Sequence, residues 1–325
     1  MAGPVRLGAF ALLTLSILAG ASLSYAQAYP SRPIRAIVPF AAGSATDQIA
    51  RSFSARMTES LGQPIVVENR PGANGMIGAD AVAKALPDGY TILFGTNSTN
   101  AALKSLMKKL PYDQDTAFTP IGYMGSVPLI VAVNNDFPAK TLAELIALAK
   151  AKPGEVTFAT ASTSQRISSE MLAGMAGIRM THVPYKSSPN AITDLIGGQV
   201  NMFTADFAVM LPQVKAGKVR ALAVTSTKRA AVAPELPTVN EAAGLKDYEL
   251  IAFFGAYGPA AMPRDIVQKL NDAINAAARS KEVLDRFSAL GMETAPGTPE
   301  AFAQRTALEA VKWAKAIRDS GIEPE

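Results

Sequence analysis

Residues 34–69 read IRAIVPFAAGSATDQIARSFSARMTESLGQPIVVEN, and this stretch decides the fold class. Ile34 to Phe40 is an apolar run of the length a short buried strand needs, and Ala41, Ala42, Gly43 and Ser44 form a small-residue turn after it. Ile49, Phe53, Met57 and Leu61 then recur every fourth residue, which places them on one stripe of an amphipathic helix. Gly62 closes that helix, and Ile65 to Glu68 returns as a second strand. Strand, helix and strand at this spacing make a crossover, so a parallel sheet is expected.

The alternation continues outward. A helix from about Ile77 to Ala85 stops before the turn cluster Pro87, Asp88 and Gly89, and Thr91 to Phe94 reads as a third strand leading into Gly95, Thr96, Asn97 and Ser98. After Pro120 and Gly125 the rhythm restarts with a strand at Leu129 to Val133. Thr141 with Glu144 reads as a capping box, opening a helix that closes at Lys152, Pro153 and Gly154. Strands follow at Val156 to Ala159 and Met180 to Val183, with a helix rich in Met and Ala between them. Ser188 reads as the cap of a helix with Pro189 at its first position and Gly197 beyond its end. Met202 to Thr204 and Val219 to Val224 complete the expected strand set. From Pro263 onward the chain reads as nearly all helical, with Thr298 and Pro299 opening the last helix. No short repeat recurs at a fixed period, which argues against solenoids and propellers. Two αβ runs separated near Gly125, followed by a helical C-terminal third, predict an α/β protein of two doubly wound lobes, the first completed by the C-terminal helices.

Composition narrows the function. The 325 residues are 49% hydrophobic and 18% charged, which fits a globular chain and neither a disordered tail nor a long coiled coil. The formal charge of +4 is spread along the sequence, so no nucleic-acid partner is expected. The absence of cysteine excludes disulfides, thiolate nucleophiles and iron–sulfur ligation, and a lone histidine, His182, excludes multi-histidine metal sites. Leu7 to Leu23 is an apolar stretch behind Arg6, shorter than the roughly 20 residues that span a bilayer. Ser24 and Ala26 place small residues for cleavage after Ala26, and Ala26 and Ala28 do the same for cleavage after Ala28. Residues 1–26 are therefore expected to be a signal peptide, and the mature protein to be exported, periplasmic in a cell with two membranes.

Three Gly-, Ser- and Thr-rich segments, Ala41 to Thr46, Gly95 to Thr99 and Thr160 to Gln165, each sit at the carboxyl end of an expected strand, where open α/β sheets bind ligands. Such a segment entering a helix presents free N–H groups and the positive end of the helix dipole, which suit a carboxylate or phosphate. The plainer alternative for each is a tight helix N-terminus. Catalytic motifs are missing: Gly72, Gly75 and Gly78 have the wrong spacing for a dinucleotide fingerprint, and neither a P-loop nor a Gly-x-Ser-x-Gly elbow occurs. His182, inside an apolar strand, is expected to be a satisfied core or loop-edge residue. Asp47 is expected to favour the first helical turn and to pair with Arg51. Asp206 follows a strand and either caps the next helix or meets a ligand, while Lys186 is either solvated or faces a pocket. Trp313 and the methionines are expected in the core.

Several stretches together resemble one family: YPSRPIRAIVPFAAG at 29–43 with Asp47 and Arg51, GQPIVVENRPGANGMIGADAVAKALPDGYTILFG at 62–95, THVPYKSSPNAITDLIGGQV at 181–200, KVRALAVTSTKRAAVAPELPTVNEA at 218–242 with Ala243 and Gly244, and YGPAAMPRDIV at 257–267. They are similar to the Bug family, the periplasmic solute-binding proteins of tripartite tricarboxylate transporters, from about Tyr29 to the C-terminus. The resemblance implies a two-lobed periplasmic-binding-protein (Venus-flytrap) fold with residues 27–126 and 252–325 in one lobe and 127–251 in the other. It implies a monomer without cofactor or bond-breaking chemistry that captures a small organic acid and presents it to a membrane permease. A membrane sensor is an alternative partner; an exported hydrolase or lyase is disfavoured because no nucleophile or metal set is recognisable. In such proteins backbone amides and ordered waters in the loop after the first strand hold the ligand carboxylate, here Phe40, Ala41, Ala42, Gly43 and Ser44. The remaining contacts are implied at Thr96, Asn97, Ala161, Ser162, Thr163, Ser164, Gln165, Lys186, Ser187 and Asp206. The family has glycine where Ser44 and Ser187 stand and within ATASTSQ at 159–165, so the pocket here is narrower and more polar. Ser44 either caps the first helix or donates to the ligand; the ligand role is favoured because Thr46 is available as a cap.

Overall fold

In the computed structural model, which describes residues 29–324, the opening unit forms β1 (Ile34–Val38), α1 (Ala45–Leu61) and β2 (Ile65–Asn69). β1 and β2 are parallel, in register from Ile34 against Ile65 to Val38 against Asn69. Ile49, Phe53 and Met57 are buried on the expected stripe, with the Phe53 ring 5.6 Å from that of Phe287. Gly62 ends α1 in the left-handed conformation and donates its N–H to Thr58 O. The expected signal peptide lies outside the described residues. Among the described residues no helix is long and apolar enough to cross a membrane.

The chain continues through α2 (Met76–Ala83), β3 (Thr91–Thr96), a π-helical turn (Ser98–Ala102), α3 (Leu103–Leu106) and β4 (Phe118–Asn134). Then come α4 (Leu142–Ala151), β5 (Thr157–Thr160), α5 (Thr163–Ala176), β6 (Thr181–Pro184), α6 (Ser188–Ile196), β7 (Met202–Asp206), α7 (Phe207–Lys215), β8 (Val219–Val224) and α8 (Val239–Ala243). The last elements are β9 (Ile251–Pro259), α9 (Arg264–Arg279), α10 (Lys281–Ala289) and α11 (Pro299–Asp319). The helical C-terminal third and the cap at Thr298, which accepts from Ala301 N–H, are as the sequence predicts.

Three expectations need correction. The sheet is mixed rather than parallel: β1 pairs in parallel with β2 and β3, and β5 with β6 and β7, but β9 is antiparallel to β3 and β4, and β4 is antiparallel to β7 and β8. The strand expected at Leu129 to Val133 is the end of a 17-residue strand, and β9 runs to Pro259, well past the hinge strand expected at about Glu249 to Ala252. Register shifts between Pro120 and Gly122 and between Tyr123 and Gly125 let β4 carry its prolines and glycines while staying paired to β9. Finally, Ser187 rather than Ser188 caps α6, accepting from Asn190 N–H at 3.3 Å.

The strand order runs β2-β1-β3-β9-β4-β7-β5-β6, with β8 also on β4. β4 serves two sheets: residues up to Pro128 pair with β9, and residues from Leu129 pair with β7 and β8. At the changeover Thr225, fully buried, ties three segments together. Its hydroxyl accepts from Leu129 N–H at 2.7 Å and donates to Leu250 O at 2.6 Å, while its backbone bonds Leu129 O and Leu250 N–H at 3.0 Å each. The α1 and α9 faces cover one side of the first sheet, and the first turn of α11 inserts Phe302 among Tyr123, Phe253 and Tyr257 on another.

Candidate functional site

The loop after β1 is built to hold the α1 N-terminus open. Gly43 adopts φ +80°, a conformation costly for a side-chain-bearing residue, and donates its N–H to Asp47 Oδ2 at 3.0 Å. Asp47 also receives Arg51 Nε at 3.1 Å and Asn69 Nδ2 at 2.9 Å, and Asn69 Nδ2 reaches Phe40 O at 3.0 Å as well. Burial pushes the Asp47 carboxyl up, but the Arg51 guanidinium, the Gly43 N–H and the Asn69 amide outweigh it and hold it below the usual carboxylate range. The pairing expected of Asp47 and Arg51 is therefore present, and Asn69 is a clamp the sequence did not reveal.

Ser44 is the α1 cap: its hydroxyl oxygen accepts from Asp47 N–H at 3.3 Å. Thr46 sits inside the first turn and does not take that place, contrary to expectation. A hydroxyl that accepts from the helix still has a proton to donate, so the two roles of Ser44 are compatible. Capping of Asp47 N–H, and the Gln48 N–H bond to Ser44 O, leave the Ala45 and Thr46 N–H groups as donors at the helix end. Ser44→Ala is expected to lower the stability of the ligand-free protein by about 0.5–2 kcal/mol through loss of the cap. Urea unfolding reads this directly, and an unchanged midpoint would show that the hydroxyl does not cap.

The second and third loops meet across the gap. After β3, Ser98 N–H bonds Thr96 Oγ1 at 3.1 Å and Thr99 Oγ1 accepts from Thr96 N–H at 2.9 Å, winding the chain into a tight buried turn. Ser98 Oγ accepts from Ser164 N–H at 3.3 Å, which joins the loop after β3 to the start of α5. Ala161 N–H bonds Gln165 Oε1 at 2.7 Å, and Gln165 Nε2 donates to Ser188 Oγ at 3.0 Å, which fixes the α5 and α6 N-termini side by side.

These segments line one cleft. Of the residues expected at the site, Phe40, Ala41, Ser44, Thr96, Asn97, Ala161, Ser162, Ser164, Gln165, Lys186, Ser187 and Asp206 line it. Ala42 and Gly43 shape the loop from its exposed side, and Thr163 is fully buried just behind, so these three do not border the space. Ala45, Thr46 and Ser98, which lie within the first two candidate segments, also border it, as do Ser188, Ala252 and Phe254. Ala252 and Phe254 lie on β9, and Ser188 is one residue beyond an anticipated position.

Asp206 does not cap α7, since its side chain makes no bond to that helix end. Burial raises its pKa to about 6, its own backbone N–H and the Gln165 amide offsetting part of the effect. Lys186 is exposed at the cleft mouth and, among the described residues, forms no ion pair. His182 stacks on Phe158 with ring centroids 5.2 Å apart, and its Nε2 lies 2.6 Å from Thr160 Oγ1, a satisfied loop-edge histidine as expected. Among the described residues no group of His, Asp and Glu is arranged to hold a metal ion.

A cleft lined by the N-termini of three helices, between two sheets that share a long strand, defines a two-lobed solute receptor. Residues 49–322 match the family model described as "Tripartite tricarboxylate transporter family receptor", and the chain belongs to that family. BugT of Bordetella pertussis is 37% identical over 299 residues, 91% of each chain. The solved structure described as R. palustris Rpa4515 with adipate is 33% identical, superposes with a TM-score of 0.88, and covers 91% of this chain and 100% of its own. MatC (Rpa3494) from Rhodopseudomonas palustris with bound malate is 32% identical with a TM-score of 0.85, covering 89% and 100%. The family is one of receptors rather than enzymes, and the two solved structures share the two-lobed binding-protein fold.

Proposed function

We propose that this protein is exported to the periplasm and, as a monomer, captures a small organic acid in the cleft and delivers it to the permease of a tripartite transporter. The observation that carries the reading is the convergence of the α1, α5 and α6 N-termini on one cleft with Lys186 at its mouth. Free Ala45 and Thr46 N–H groups and neighbouring hydroxyls offer a carboxylate several donors in a water-poor setting, and no activated nucleophile accompanies them. The lobes are proposed to divide near residues 126–127 and 251–252, where β4 changes sheets beside Thr225, and to close about that crossing.

A melting screen across C3 to C8 mono- and dicarboxylates and aromatic carboxylates tests the reading. A ligand at 100 times its dissociation constant adds about 2.7 kcal/mol to the folded state, a readily measured rise in Tm. An amine or a sugar that raised the Tm when no organic acid did would overturn it.

A further inference from the structure

Besides β4 and the start of β9, α11 reaches across both lobes of the division proposed above. It has 21 residues, about 30 Å of helix. Its first half is fixed in the lobe that holds β1: Phe302 sits among Tyr123, Phe253 and Tyr257, Thr306 Oγ1 lies 3.0 Å from Tyr257 Oη, and the Arg305 guanidinium stands 4.6 Å over the Tyr123 ring. Its second half lies against the lobe that holds α5. There Trp313 and Ala316 border one narrow seam with Ile167 and Met171 of α5 and with Leu250 and Ile251, about 10 Å³ of free space, room for one water at most. Trp313 is 3% exposed and is the one tryptophan of the chain. Beside it Lys312 Nζ donates to Glu249 Oε2 at 2.7 Å, and at the helix end a Cβ on Gly174 of α5 would stand 4.0 Å from Ser320 Cα.

We propose that α11 is a strap between the lobes: pinned to one by its first half, it clasps α5 of the other with its second, and the clasp must release for the cleft to open. Opening carries α5 away from the lobe that holds β1, and α11, pinned at Phe302, cannot follow it. The seam then parts and gives Trp313, Ile167 and Met171 to water, a cost proportional to the apolar area exposed. The strap therefore favours the closed arrangement even with an empty cleft, and sets the population of the open form that admits a ligand. This rests on the two-lobe division and not on the chemistry of the ligand. On the cleft side the closed arrangement has its own reporter. Ser164 N–H, in the first turn of α5 where no intrahelical acceptor exists, donates to Ser98 Oγ of the opposite lobe at 3.3 Å.

The chain has no cysteine, so the pair Gly174→Cys and Ser320→Cys introduces one unambiguous disulfide, at a separation such a bond spans. Amide exchange at Ser164, followed by NMR in the ligand-free full chain, is compared between the oxidised and the reduced pair. The oxidised form is expected to exchange at least about 10-fold more slowly, with the reduced form matching the parent. In the cysteine-free chain Trp313→Ala is expected to speed the same exchange about fivefold or more, while the core amides of β1, which report global unfolding, accelerate less. A pair that stays reduced under oxidant, or equal exchange in the oxidised and reduced forms with both faster than β1, would overturn the strap while leaving lobe opening intact. Ser164 exchanging only as slowly as β1 in every form would mean that the lobes do not part, which overturns the flytrap reading and the strap together.

Discussion

Phe302→Ala is expected to lower the unfolding free energy by about 3–5 kcal/mol, the usual cost of deleting a fully buried phenylalanine ring. Phe302 is 2% exposed in the first turn of α11 and meets Tyr257, Tyr123 and Phe253 at centroid distances of 4.9, 6.1 and 6.3 Å. Its seat exists because β9 has glycine at 255: a Cβ there would stand 2.0 Å from Phe302 Cζ. The ring is thus the pin between the C-terminal helix and the two central strands, and the rigid aromatic walls have little freedom to collapse into the space it leaves. Urea unfolding of wild type and variant measures the cost; a loss below about 1 kcal/mol would show that the helix is held mainly by other contacts.

The same residues explain which parts of the fold were legible. The units β1–α1–β2 and β5–α5–β6 are written in local periodicity, since four-residue apolar spacing and a terminal glycine specify a helix without reference to distant chain. The β4–β9 pair has no such local signal. Pro120, Gly122, Gly125 and Pro128 read as breakers, as do Gly255 and Gly258, yet the register shifts of β4 absorb the first group and a packing ring requires Gly255. Antiparallel pairing of residues more than 100 positions apart is a tertiary property, so the parallel sheet inferred from one crossover could not be extended to it.

At the cleft, the small-residue loops were legible because their composition and their place after strands both follow from elementary rules. Fine geometry was not. Ser187 and Ser188 differ only in which one leaves the helix first, and Asn69 contributes through a loop 29 residues away in sequence. The alternatives left open for Asp206, cap or ligand contact, turn on the direction of one side chain. Its failure to cap α7 removes the first of them.

That orientation gives Asp206 a measurable effect on stability. Its pKa rises from 3.8 to about 6, chiefly because burial penalises the charged form. The folded protein therefore holds this proton more tightly than the unfolded chain. The associated stability is fully present below pH 3.8 and is lost as pH climbs through about 6. At about 1.4 kcal/mol per pH unit the loss amounts to about 3 kcal/mol by pH 8. Asparagine is shaped like the protonated acid and never ionises. Asp206→Asn is thus expected to match wild type at pH 4 and to exceed it by about 3 kcal/mol at pH 8, both without ligand. Titrating groups that do not interact with residue 206 are common to the two proteins and cancel in the difference. Unfolding curves at pH 4, 6 and 8 read this difference, and one that stays flat with pH would mean that the carboxylate finds in the free cleft a stabilising partner strong enough to offset its burial.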